Sequence, residues 1–119
     1  MSNTYSIDIT DKIISVRFSC EPKISDILEA IDEIATIDEN GLRLWDMSKG
    51  LNLTNDEVKE IAEYAKISLK TPGKTVLVSP QDHTFGISRI HDVYRDQDGH
   101  DSMVFRTEQE AIAWLKKTM

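Results

Sequence analysis

LRLWDMSKGLNLTNDEV, residues 42–58, begins as an apolar run, passes through Ser48, Gly50 and Asn52, and ends on the signature of a helix start. Leu42 to Met47 is too short for a helix and follows Asn40-Gly41, a pair that stops one element and turns the chain, so it reads as a buried strand. Thr54 stands three residues before Glu57, the capping-box spacing. There the threonine oxygen accepts the Glu57 amide N–H while the glutamate carboxylate accepts the amide N–H of Thr54. The stretch is therefore a strand-to-helix junction, one step of an alternating α/β chain.

The helix after Thr54 carries Val58, Ile61, Ala62, Ala65 and Leu69 inward at helical spacing, and Pro72-Gly73 ends it. Lys74 to Val78 predicts a fourth strand with Val76, Leu77 and Val78 buried. Ser79-Pro80 then reads as an N-cap with proline at the first helical position, and Ile87, Ile90, Val93 and Tyr94 mark a third helix. After a turn at Asp98-Gly99, residues 102–105 predict a fifth strand, and Thr107 with Glu110 repeats the capping box before Ala111, Trp114 and Leu115. On the other side, residues 5–10 and 13–19 alternate apolar and polar around Asp11-Lys12, as an opening β-hairpin does. Ile24, Ile27, Leu28, Ile31, Ile34 and Ala35 then form one helical stripe, leaving Asp26, Glu29, Asp32 and Glu33 as an acidic outer face.

The order is ββαβαβαβα. Right-handed strand-helix-strand crossovers lay successive strands parallel, with the hairpin supplying the antiparallel neighbour. The fold class expected is α/β, a small, mixed, mostly parallel five-stranded sheet with four helices, and 119 residues suit a single domain over 1–119. An excess of 21 acidic over 14 basic residues gives a formal charge of −7, which repels phosphate backbones and anionic membrane surfaces, so nucleic acid is not an expected partner. Cys20 is the one cysteine, so no internal disulfide forms; with no signal segment and no apolar run of about 18 residues, membrane insertion is not expected and a cytoplasmic location is.

Sheets of this kind bind ligands outside the carboxyl ends of their strands, where helix N-termini offer free amides. Residues 46–57 and 79–85 lie at that edge. They supply a candidate binding or switch loop of Asp46, Ser48, Thr54, Asn55, Asp56, Asp82 and His83, and a candidate apolar pocket of Trp45, Phe85 and Tyr94. Asp46 closes a central strand, where its carboxylate is expected to accept amides of the next loop sooner than to act as an acid. His83, His91 and His100 show no pairing at the three- or four-residue spacing of metal ligands, so neither metal nor cofactor is expected. The chain also carries no glycine-rich phosphate loop and no nucleophile elbow, so an enzyme is disfavoured.

The strand ending Leu44-Trp45-Asp46-Met47-Ser48, the segment Phe85-Gly86-Ile87-Ser88-Arg89, and the close Val104-Phe105-Arg106-Thr107-Glu108 with Ala111-Ile112-Ala113-Trp114-Leu115 resemble the SpoIIAA-like proteins. These belong to the STAS superfamily of anti-sigma-factor antagonists and cytoplasmic domains of sulfate transporters, and the likeness spans nearly the whole chain. The resemblance implies a non-enzymatic regulatory module that binds a protein. In the antagonists that partner is a kinase-like anti-sigma factor, and phosphorylation of a serine at the start of the helix after the third strand switches binding. Asp46-Met47-Ser48 matches the Asp-Leu-Ser of such proteins. Their Asp-Ser-Ser-Gly falls at Thr54-Asn55-Asp56-Glu57, where neither serine nor glycine remains and Asn55 takes the place of the phosphoserine. The expected function is thus a protein-binding regulator without the usual phosphoserine switch, docking on a partner or on a second copy of itself. The alternative is a carrier or sensor of a small apolar or amphipathic ligand near Trp45, Phe85 and Tyr94.

Overall fold

A computed structural model describes residues 4–38, 41–69, 73–97 and 101–117. The elements are β1 (Tyr5–Thr10), β2 (Ile13–Phe18), α1 (Ile24–Ile37), β3 (Leu42–Asp46), α2 (Asn55–Ser68), β4 (Lys74–Val78), α3 (Asp82–Gln97), β5 (Asp101–Phe105) and α4 (Glu108–Lys117). This is the ββαβαβαβα order. Asn40, Pro72, the Asp98-Gly99 turn and His100 lie outside the described residues. The five strands form one sheet in the order β1-β2-β3-β4-β5, antiparallel between β1 and β2 and parallel elsewhere.

The hairpin turns through Asp11 and Lys12 at φ 54° and 68°, both left-handed, the conformation whose twist matches the flanking strands. Each later crossover moves one strand along in the same direction, so the right-handed rule puts α1, α2 and α3 on one face. Ile27 and Ile31 of α1, Val58 and Ile61 of α2 and Ile87 of α3 pack there on Val16, Trp45, Leu77 and Val104. α4 covers the other face, where Ala111 and Leu115 pack on Leu44, Val76 and Val78. β3 and β4 are thus covered on both sides, which is why their sequences are nearly continuous apolar runs.

Three expectations are corrected. Ser79-Pro80 does not open α3, which starts at Asp82 with the Phe85 amide donating to the Gln81 carbonyl at 2.8 Å. Ser79 instead prolongs the line of β4: its amide donates to the Phe105 carbonyl at 2.8 Å, and its buried hydroxyl lies 2.7 Å from that of Ser88. A bond to the neighbouring strand's end outcompetes a local cap. Second, the buried stripe of α1 is Ile27, Ala30, Ile31 and Ile34, and Ala35 is exposed, because a single sheet face beneath the helix admits only a narrow stripe. Third, only Ile87 of the α3 apolar series is buried. Ile90 and Val93 are 38% and 51% exposed, since α3 lies at the sheet's edge over β5 and has a neighbouring helix only on its α2 side.

Candidate functional site

Parallel register places Arg17, near the end of β2, directly beside Asp46 at the end of β3. The Arg17 guanidinium donates to Asp46 Oδ2 at 3.0 Å and to Glu108, in the first turn of α4, at 2.5 Å. The other Asp46 oxygen accepts the Ser48 amide at 2.9 Å. Burial pushes the Asp46 carboxyl upward, but the hydroxyl and amide of Ser48, and then Arg17, outweigh it and hold the group below its usual value. Asp46 is therefore an ionised clamp that fixes the start of the 47–54 loop. A carboxyl depressed in the folded state stabilises above its unfolded pKa, and that stabilisation is lost as pH falls through the folded value. Urea midpoints of the natural chain should accordingly drop between about pH 5 and pH 3 more steeply than those of Asp46→Asn. Parallel curves for the two proteins would refute the clamp.

The loop leads into the α2 cap. Thr54 Oγ1 accepts the Glu57 amide at 3.2 Å, and Glu57 Oε1 accepts the Thr54 amide at 2.9 Å, so the reciprocal box forms. Thr54→Ala should cost about 0.5–2 kcal/mol. An unchanged midpoint in thermal unfolding would show that the hydroxyl has no capping role. Beyond the cap, Asn55 and Asp56 are exposed, and the Tyr94 hydroxyl reaches Asn55 Oδ1 at 3.4 Å from α3.

The β4-α3 connection lies alongside. Gln81 Nε2 donates to the Ser48 carbonyl at 2.7 Å, tying the two loops together. Asp82 accepts from Arg106 at 2.7 Å, and the same guanidinium covers the Phe85 ring at 4.4 Å. His83 is exposed in the first turn of α3. The edge thus gathers Ser48, Asn55 and Asp82 with their partners. Among the described residues no three His, Cys, Asp or Glu side chains converge as a metal centre requires.

The three aromatic residues of the candidate pocket do not share one cavity. Trp45 is buried, stacks on Phe18 at 6.3 Å and lines an apolar cleft beneath α2. Phe85 and Tyr94 do not line it but pack at the margin of the same core, with Arg106 over the Phe85 ring and the Tyr94 hydroxyl on Asn55. On α1, Glu33 and Asp32 accept from the phenols of Tyr5 at 3.3 Å and Tyr64 at 2.5 Å. Burial, then Glu33, Glu29 and Asp32, push the Tyr5 phenol up to about 12, a sign of the negative field on that face.

Sequence reasoning passed over Arg17, Gln81, Arg106 and Glu108. Their roles depend on which strands are neighbours, and no local pattern shows that. It also passed over Arg43, for which a signal existed: an arginine inside a strand expected to be central must have a buried partner.

No protein-family model matches this sequence, and no curated protein matches it. Among solved structures, the chain is similar to the crystal structure of a "putative anti-sigma factor antagonist" from Thermotoga maritima, at a TM-score of 0.60 and 13% identity over 96% of each chain. The chain therefore shares that structure's fold, one mixed five-stranded sheet with helices on both faces.

Proposed function

We propose that this chain is a regulatory, non-enzymatic protein-binding module whose partner docks on the carboxyl edge of the sheet, over the 47–54 loop and the first turn of α2. One observation carries the reading: the Gln81 bond to the Ser48 carbonyl joins the two edge loops into one surface, held from below by Asp46 and from the side by the α2 cap. A surface ordered in advance loses little entropy on docking, which is what a protein-recognition face needs. The fold shared with the Thermotoga maritima protein, described as an anti-sigma factor antagonist, supports the same reading. No described helix is long and apolar enough to cross a membrane, and a cytoplasmic setting, where the exposed Cys20 stays reduced, is part of the proposal.

Binding here proceeds without a phosphoserine. Asn55 has no hydroxyl, and the Thr54 oxygen is committed to the Glu57 amide, so phosphorylating it would sacrifice the cap. With a net charge of −7, the complementary surface is neutral or basic, and a second copy of this chain would have to bring uncharged contacts together. A photoreactive side chain placed at Asn55 should crosslink a discrete protein in cells, whereas one at Lys117, on the far end of α4, should not. Equal yields from both positions, or adducts from Lys117 alone, would overturn the assignment. Native mass spectrometry of the product distinguishes a second copy from a different protein.

A further inference from the structure

A second site lies behind that edge, in the seam between α2 and the sheet, with Met47, Leu51 and Leu53 of the loop among its walls. α1 covers its part of the sheet with Ile27, Ile31 and Ile34, whereas α2 offers the smaller Val58, Ala62 and Ala65 beside Ile61. The space beneath α2 is left unfilled. The cavity left there is about 40 Å³ and opens to solvent. Among the described residues lining it, every one is apolar except Thr75 and His91.

We propose that this cleft binds a small neutral molecule that is mostly hydrocarbon and carries one hydrogen-bonding group, of the chemical class of a short-chain alcohol. Three observations define that class. The walls are hydrocarbon, with the Trp45 ring and the Met47 thioether among them, and space of that kind excludes water and accepts apolar guests. The polar groups are confined to Thr75, at the start of β4, and His91, so a guest finds a hydrogen-bonding partner only in that part of the cleft. The charge adjacent to Thr75 is Arg43, whose Nη1 lies 3.4 Å from the Thr75 hydroxyl, and Arg43 is already neutralised by Asp38. Among the described residues no Lys, Arg, Asp or Glu lines the cleft, so a charged headgroup would enter without a fixed counter-ion, which disfavours carboxylates and amines. Access is at the two ends of α2. Leu53, just before the cap, and Leu69, at the C-cap, are the partly exposed apolar lining residues, joined on the α3 side by His91.

The chain has two tryptophans, and they lie on opposite faces of the sheet: Trp45 lines the cleft, while Trp114 packs on Phe105 beneath α4. Trp114→Phe therefore leaves a single fluorophore in the proposed site. Titrating that variant with 1-hexanol should shift the Trp45 emission saturably, and hexanoate should act at least about tenfold more weakly. Adding Ala65→Leu, which places a larger side chain in the cleft, should weaken the hexanol response by a similar factor while the protein remains folded by circular dichroism. A linear response without saturation, equal responses to hexanol and hexanoate, or a response untouched by Ala65→Leu would each overturn the proposal. If Ala65→Leu does not fold, amide NMR of the natural chain with 1-hexanol decides. Shifts concentrated at Trp45, Val58, Ile61, Ala65, Ile87 and His91 support the site, and shifts scattered over the surface refute it. These readouts are taken on the isolated protein and need no docking partner.

Discussion

Asp38→Asn should lower the unfolding free energy by about 3–5 kcal/mol, a large fraction of the 5–15 kcal/mol typical of a small domain. Asp38 is the C-cap of α1, a poor place for a carboxylate on helix-dipole grounds, and it is 2% exposed beside an Arg43 that is fully buried. Its Oδ2 accepts from Arg43 Nε and lies 2.6 Å from Nη2, while its Oδ1 accepts the Gly41 amide at 2.9 Å. The asparagine keeps a carbonyl for Gly41 but removes the Asp38 charge from beside a guanidinium in the core. Arg43→Met should do comparable damage by taking the cation from beside a buried carboxylate. Combining Asp38→Leu with Arg43→Met removes both charges, and the double variant should lose clearly less than the sum of its single changes. Urea unfolding at neutral pH measures all of these. A loss under about 1 kcal/mol for Asp38→Asn would mean that water reaches the pair and screens it.

Gly73→Ala should cost about 2–3 kcal/mol, at the upper end of what overpacking usually does. A Cβ on Gly73 would stand 1.9 Å from the Gly41 carbonyl oxygen, well inside any permitted contact. The backbone has no room to retreat, because the next amide, that of Lys74, donates to the same carbonyl at 2.6 Å and fixes the entry to β4. Gly41 itself sits at φ 69°, a left-handed conformation that glycine adopts without strain. The two segments thus meet backbone to backbone at the amino end of the sheet. Thermal unfolding of Gly73→Ala checks the prediction, and a midpoint within about 2 °C of the natural chain's would show that the contact opens freely. Both predictions concern the end of the sheet opposite the docking edge.

Much of the fold was legible because its signals are local. The Thr54-Glu57 and Thr107-Glu110 spacings mark the starts of α2 and α4, and the Thr107 hydroxyl does accept the Glu110 amide at 3.3 Å. Asp11-Lys12 marks the hairpin between two alternating runs. Where a tertiary partner competed with a local one, the reading failed. Ser79 looked like a cap but bonds to the end of β5, and Ile90 and Val93 kept helical periodicity while facing solvent. In the candidate site, the Asp46 bond to the loop amide two residues on was readable in the sequence. The surroundings of the aromatic residues were not: Arg106 lies over the Phe85 ring and Tyr94 reaches Asn55, and neither contact is visible in a one-dimensional pattern.

The order of the elements, the place of the hairpin turn and the caps of α2 and α4 followed from the sequence, since each depends on residues within a few positions of one another. Only the tertiary structure decided three further things: that Arg17 meets Asp46, that Arg43 is buried on Asp38, and that the side chains of α2 leave a cleft over Trp45. Each of these depends on which strands lie side by side and on the size of side chains brought together from distant segments. Those quantities exist only once the sheet has closed and the helices have settled on it.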